Sequence, residues 1–207
     1  MFYFRLNEVY KIKYKVNMKK RTFKCKVKGT EELMFDRVAF DPVKTGKILP
    51  LKWDEKVYFG HTPETKENLV LPTTNIFSLL TNTRDGAPFL KEKKAAEAKR
   101  QCIAVKRCIR MMEPEVLITR DGNPLTIKDC YHHQSSAPDP SKHSPILTSR
   151  PVLPLKWEVE FSIQVIEMMG ITAEGIYNYL ELGGMMVGIG TNRGQFGKFE
   201  IISWEEI

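Results

Sequence analysis

An α+β fold built on a split βαββαβ order is what this sequence predicts, and three observations carry the prediction. Stretches in which apolar residues strictly alternate with polar ones occur near the front of the chain and again after Pro154, the period-two signature of half-buried strands. Two longer stretches repeat their apolar residues every three or four positions, as amphipathic helices do. Leaving the front of the chain aside, the elements run strand, helix, strand, excursion, strand, helix, strand, which is the ferredoxin-like and RNA-recognition-like order.

The elements follow from local patterns. In "KIKYKV" (Lys11 to Val16) and "FKCKVK" (Phe23 to Lys28) lysines occupy one face of each predicted strand, and "NMKKR" between them suits the connection of an N-terminal hairpin added to the core. Such a face either protects an edge strand from unwanted pairing or touches a ligand. Asp41 to Glu67 is punctuated by Pro42, Gly46, Pro50, Gly60 and Pro63 and reads as irregular. "NLVLPTTNIFSLLTN" predicts a short strand, a turn at Pro72 and a helix capped by Thr73 or Thr74, with Ile76, Phe77, Leu79 and Leu80 inward.

The clearest helix is a long central one, "KEKKAAEAKRQCIAVKRCIRMM". Ala95, Ala98, Cys102, Val105, Ile109 and Met112 form its apolar stripe, Lys93, Arg100 and Arg107 lie opposite, and Pro114 is expected to end it. The basic side is either a solvated face or a nucleic-acid contact. "EVLITRDGNPLTI" gives a strand, an Asp121-Gly122 turn and a return strand. From Asp129 to Arg150 proline, serine and histidine displace any apolar period, predicting a long, mobile excursion. "LKWEVEFSIQV" is a strand with Trp157, Val159, Phe161, Ile163 and Val165 on one face. A helix from Thr172 to about Leu182 follows, with Ile176, Tyr179 and Leu180 inward, and "FGKFEIISW" closes as a strand.

Composition bounds the function. With 207 residues, 42% of them hydrophobic, residues 1–207 suit a single domain carrying one insertion at 129–150. The formal charge of +7 favours a polyanionic partner, and Met1 to Lys28 concentrates ten Lys or Arg against the single acid Glu8. No apolar run approaches the roughly 20 residues that cross a bilayer, and "MFYFRLNEVYKIKYK" has neither an apolar core segment nor a cleavage site, so a cytoplasmic location without a membrane partner is expected. Cys25, Cys102, Cys108 and Cys130 show no framework spacing and read as reduced thiols.

The segment "GGMMVGIGTNRGQFGKFEI", Gly183 to Ile201, is where chemistry is expected. No glycine there precedes Lys-Ser or Lys-Thr, and Arg193 stands where a dinucleotide fingerprint needs its third glycine, which argues against ATP and NAD and leaves no cofactor implied. The preceding helix points its negative end at this segment, so an anion would be held by loop amides together with Arg193 and Lys198. The competing reading is a helix cap at Gly183 with close packing around the glycines. "RGQFGKF" differs from the RNA-recognition signature by an extra residue and by lying on the last strand, so that direct match is rejected. Cys130, His132, His133 and His143 form a metal-like cluster, but adjacent histidines point to opposite sides of an extended chain, and no metal is expected. His61, in a Gly/Pro loop, is a candidate general base without a partner close in sequence.

Four stretches in order, "VKGTEELMFDR", "LVLPTTNIFSLL", "RPVLPLKWEVEFSIQV" and "LELGGMMVGIGTNRGQFGKFEI", resemble the RAMP superfamily, the RNA-recognition-like proteins that include CRISPR backbone subunits and crRNA-processing endoribonucleases. The layout is also similar to that of bacterial and phage proteins. The resemblance spans most of Val27 to Ile201 and implies RNA contacts at Gly188, Gly190, Arg193, Gly194, Gly197 and Lys198, a thumb-like element at Asp129 to Arg150 that reaches a neighbour, and assembly along a guide strand. No acidic residue aligns with the cleaving aspartate of RNA-cutting backbone subunits. The resulting expectation is a non-catalytic protein that binds single-stranded nucleic acid, RNA more than DNA, as a homo-oligomer or in a CRISPR-type complex. The alternatives are a metal-independent endoribonuclease with His61 or His132 as base, and a virus-encoded interaction protein that mimics or occupies the place of a backbone subunit.

Overall fold

A computed structural model describes residues 19–41, 46–92, 94–138 and 145–207. The expected strand Lys11 to Val16, Lys93 and His143 lie outside the described residues.

Phe23, Cys25 and Val27 are buried at every second position of β1 (Lys19–Gly29), so the predicted alternation holds. The strand is longer than expected, taking Lys19, Lys20 and Arg21 out of the proposed hairpin connection. Short strands β2 (Leu33–Met34), β3 (Ala39–Phe40) and β4 (Ile48–Leu49) follow, then β5 (Val70–Pro72), α1 (Thr74–Thr81), α2 (Pro88–Lys91) and α3 (Ala95–Cys108). The second half contains β6 (Ile109–Met111), β7 (Glu115–Arg120), β8 (Asn123–Pro124), β9 (Tyr131–Pro138), β10 (Pro145–Leu153), β11 (Glu158–Glu167), α4 (Ala173–Met186) and β12 (Phe199–Glu206).

The main sheet runs β12-β1-β11-β7-β5, antiparallel at each pairing, with β6 and β7 lying one after the other along β11. With α1 to α3 between β1 and β6, and α4 between β11 and β12, this is the ferredoxin-like, RNA-recognition-like βαββαβ core. Two expectations change. β1 is a core strand and not an edge: β11 pairs it from Lys19↔Glu167 to Lys28↔Glu158, and β12 covers its other side from Phe23↔Glu206 to Gly29↔Phe199. The first strand of the core is therefore β1, while β5 is an outer addition beside β7.

The helix α3 ends at Cys108, short of the expected Pro114. Ile109 takes extended torsions, φ −118° and ψ 151°, and Ile109–Met111 pairs with Ile163–Val165 of β11. Pairing into the sheet outweighs a helical period that runs on through Ile109 and Met112. Ala95 is exposed, and the buried stripe is Ala98, Cys102 and Val105. The start of α1 also differs, because Thr73 keeps helical torsions and its hydroxyl donates to the Glu113 carbonyl at 2.6 Å instead of capping the helix.

The expected aperiodic excursion, Asp129 to Arg150, contains most of the paired strands β9 and β10, which run in register from Tyr131↔Val152 to Pro138↔Pro145. Polar cross-strand contacts replace apolar ones there, such as the 2.7 Å Ser135–Thr148 hydroxyl pair, which explains why no apolar period is visible. At the base of this hairpin Val152 and Leu153, both buried, pair with Met34 and Leu33 of β2. Trp157, Val159, Phe161, Ile163 and Val165 are buried as expected, and α4 turns Ile176, Tyr179 and Leu180 inward from its cap at Thr172, whose side chain accepts from the Gly175 amide at 3.0 Å.

Candidate nucleic-acid interface

The helix α4 runs through Gly183 and Gly184 to Met186, so Gly183 is not its cap. A Cβ on Gly183 would sit 3.0 Å from Leu79 of α1, and one on Gly184 would sit 2.6 Å from Phe199. These two glycines let the helix lie close to both neighbours. The helix stops at Gly188, which has φ +83° and whose amide donates to the Gly183 carbonyl at 2.8 Å.

The loop that follows folds onto the segment between β1 and β3. Gly197 donates to the Glu32 carbonyl at 2.6 Å, Thr191 to the Met34 carbonyl at 3.0 Å, and the Lys198 carbonyl accepts from Thr30 at 2.9 Å. Within the loop Ile189 donates to Gly197 at 2.9 Å and Gly194 to Val187 at 2.8 Å, while the Gly190 amide reaches the Asn75 Oδ1 at 3.3 Å. The amides of Gly188, Gly190, Gly194 and Gly197 are thus all donated inside the protein, and the expected cradle of free glycine amides is corrected. Gly188, Gly190 and Gly197 are close-packed, with an added Cβ meeting backbone at 2.7, 2.6 and 1.9 Å respectively; only Gly194 faces open space.

What the loop does expose is charge. Arg193 and Lys198 are half-exposed, and the Arg193 Nε donates to the Gly190 carbonyl at 3.5 Å, which steadies the base of its guanidinium. Among the described residues neither lies within 4.0 Å of a carboxylate. The same holds for Arg100 and Arg107 on the exposed side of α3, which no hydrogen bond or ion pair joins to the loop.

The hairpin stands beside this loop. The His133 ring meets Phe196 edge-on at 5.9 Å, Tyr131 donates its hydroxyl to Glu32 at 2.7 Å, and Arg150 donates to Asp36 at 2.8 Å, with Lys56 on the same carboxylate at 3.3 Å. Asn75 links the loop to the start of α1, where a groove of about 470 Å³ opens between Thr73, Thr74 and Phe77 on one side and Lys106 and Arg110 on the other. These links escaped sequence reading. Arg110 faces the groove because the chain leaves the helix at Cys108, a break that helical periodicity hides.

The open face of the sheet is different. Lys24 pairs there with Glu160 at 2.8 Å and Lys26 with Glu158 at 2.8 Å, while on the core-facing side of β1 Arg21, lying over the Phe23 ring, pairs with Glu206 and Glu167 at 2.6 and 3.3 Å. Three of the six cations described in the basic front end, Arg21, Lys24 and Lys26, are therefore paired with glutamates across strands.

The candidate bases also acquire surroundings. His61 Nδ1 lies 2.6 Å from the Glu115 Oε2, and the His61 amide donates to the other oxygen of that carboxylate at 3.1 Å. His132 stacks on Trp53 and its Nε2 bonds the Ser149 hydroxyl, while His133 faces Phe196, so the two histidines do diverge. Burial pushes the Cys130 thiol up to about 12, which keeps it protonated at neutral pH. Among the described residues no three His, Cys, Asp or Glu side chains group as a metal site, and no helix is long and apolar enough to cross a membrane.

The class this geometry defines is the ferredoxin-like, RNA-recognition-like α+β fold, carrying a β-hairpin before its penultimate core strand. Within that class the chain is similar in fold to one in a cryo-EM structure described as the Type III-B Cmr-beta bound to cognate target RNA, with TM-score 0.57 and 11% identity over 91% of this chain. The chain spans 61% of the length of that one. No protein-family model and no curated protein sequence matches it.

Proposed function

We propose that the protein is a non-catalytic binder of single-stranded nucleic acid, RNA more than DNA, that works as a backbone-type subunit along the strand. The observation that carries this reading is the pair Arg193 and Lys198, two cations with no carboxylate partner among the described residues, on a loop whose glycines hold it rigid. Cations fixed on a folded surface hold phosphates without reading sequence, and they lose little entropy on binding. Gly188, Gly190, Gly194 and Gly197 serve this site by shaping the loop. Arg100 and Arg107 provide a second positive surface on α3, and Lys93, a further candidate contact, lies outside the described residues. The likeness to a chain from a complex bound to target RNA supports the same reading, and the β9–β10 hairpin within 129–150 would act as the thumb-like element toward a neighbouring copy or a CRISPR-type partner.

The test is a salt series with a labelled single-stranded RNA. Affinity should fall steeply with ionic strength, because each neutralised phosphate returns a counterion to solution. A flat response sinks the proposal, as does purified protein that carries no nucleic acid and shifts no oligonucleotide. His61 with Glu115 favours a second reading, a metal-independent endoribonuclease in which the carboxylate orients the imidazole as base. RNA cleavage in the presence of chelator, lost in His61→Ala, would establish it over the first.

A further inference from the structure

Trp53 and His132 stack on the other face of β9 from the glycine-rich loop, with ring centroids 5.0 Å apart and planes inclined by 15°. Each ring is held in place. Trp53 starts a short 3-10 turn, Trp53–Glu55, closed by the Lys52 amide donating to the Glu55 carboxylate at 2.8 Å. His132 is fixed on one side by the indole and at its edge by the Ser149 hydroxyl, which reaches across the hairpin to Nε2. The His132 side chain is nevertheless exposed. Lys52, next to the indole in sequence, is exposed as well and has no carboxylate partner among the described residues.

Adjacent residues of a strand point to opposite faces, so His132 carries the stacked pair on one flank of β9 while His133 meets Phe196 of the loop on the other. One strand therefore separates an aromatic pair from the cations Arg193 and Lys198. A surface histidine used only for solubility needs neither a ring beneath it nor a hydrogen bond fixing its rotation.

We infer that the Trp53–His132 pair is a stacking platform for an unpaired base of the strand whose phosphates the loop cations hold. This inference rests on the nucleic-acid binding proposed above and names the part of the ligand that the loop leaves unexplained. Every base has a π-face, so a platform of this kind accepts bases without discriminating among them. Imidazole belongs to the rings on which unstacked bases are received, and a ring already locked by Trp53 and Ser149 loses no rotamer freedom when a base arrives. Lys52 stands where a phosphate on the platform side would be met.

The experiment compares two ligands of equal charge, a uridine RNA of roughly 12 nucleotides and a ribose-phosphate strand of the same length without bases. Wild-type protein should bind the uridine strand about fivefold or more tighter than the strand without bases. His132→Ala should abolish that preference and leave both the affinity for the base-free strand and the melting temperature unchanged. His132→Phe should restore it, since a ring returns without its hydrogen bond to Ser149. Independently of folding in the variants, uridine RNA should quench emission that is absent in Trp53→Phe, and the base-free strand should not. Equal binding of both strands by the wild type, or a preference that survives His132→Ala, would overturn the platform and leave the stacked pair as a pin for the hairpin. Failure of both strands to bind at low salt would remove the proposed function, and the platform with it.

Discussion

Lys24 and Lys26 on the open face of the sheet and Arg193 and Lys198 on the C-terminal loop belong to the same excess of positive charge, but they meet different surroundings. On the sheet Lys24 and Lys26 each have a glutamate 2.8 Å away on the neighbouring strand, brought near by the β1–β11 register. On the loop the backbone is tied down through its own amides, while the two cations are left without acids among the described residues. Density of lysine in a sequence is therefore a poor guide to where a polyanion is held. Register decides which cations are already satisfied.

The largest effect expected tests whether the loop is a packed scaffold. Gly197→Ala would put a Cβ 1.9 Å from the Ile189 carbonyl oxygen at φ +74°, and should cost about 3 kcal/mol or more, lowering the melting temperature by about 10 °C. Gly194→Ala has φ +91° but open space, and should cost only about 1–2 kcal/mol. Equal melting temperatures for the two variants would contradict the packed loop. Gly190→Val reports packing too, because its Cβ meets the Met34 carbonyl at 2.6 Å, so loss of binding in that variant says nothing about approach to a ligand.

Next in size is the effect on binding. Arg193→Ala and Lys198→Ala should each weaken RNA affinity about tenfold, the factor corresponding to a charge-assisted hydrogen bond of roughly 1.5 kcal/mol. Each should also reduce the salt slope by about 0.7 for the phosphate released from contact. Melting temperatures should hold. Lys24→Ala and Lys26→Ala provide the contrast, with affinity changed by less than about twofold and melting temperature by less than about 3 °C, as exposed, already paired cations contribute little. A drop in affinity there matching that of Arg193→Ala would break the comparison between the two regions.

The smallest effect concerns acid. An Ala173 amide, and then Arg21, hold Glu167 below its ordinary carboxylate value, and Arg21 does the same for Glu206. A carboxylate depressed in the folded state contributes stability above its unfolded pKa and loses it as pH falls through the folded value. Thermal stability should therefore be flat from neutral pH down to the usual carboxylate range near about 4 and decline below it. Glu167→Gln should make that decline shallower. An unchanged acid profile in that variant would dissociate Arg21 from the stability of the sheet edge.

The sequence shows the fold class because its strongest patterns coincide with core elements: the alternation through β11, the inward face of α4 and the Asp121-Gly122 turn between β7 and β8 all appear where they are read. What it hides depends on pairing. Nothing local reveals that Ile109 prefers β11 to another turn of α3, or that Gln134, Ser135 and Ser136 are strand residues whose partners are polar. One available signal went unused. "KCKVK" carries lysine at every second position and "EVEF" carries glutamate in the same period, a complementarity that foretells adjacent strands and neutral charge. The candidate site was legible as a place, the C-terminal loop, but its working was not, because a run of glycines looks the same whether its amides face a ligand or a neighbouring backbone.

The segment from Thr30 to Asp36 receives the glycine-rich loop through its backbone and the hairpin through β2, Glu32 and Asp36. A stretch from the first fifth of the chain thus becomes the common wall for pieces drawn from its middle and its end. In chain order Leu33, Met34 and Phe35 are made before the hairpin and the glycine-rich loop that pack on this segment in the fold. Contacts such as Met34–Val152 and Glu32–Gly197 join residues more than a hundred positions apart, and closing such distant pairings slows folding.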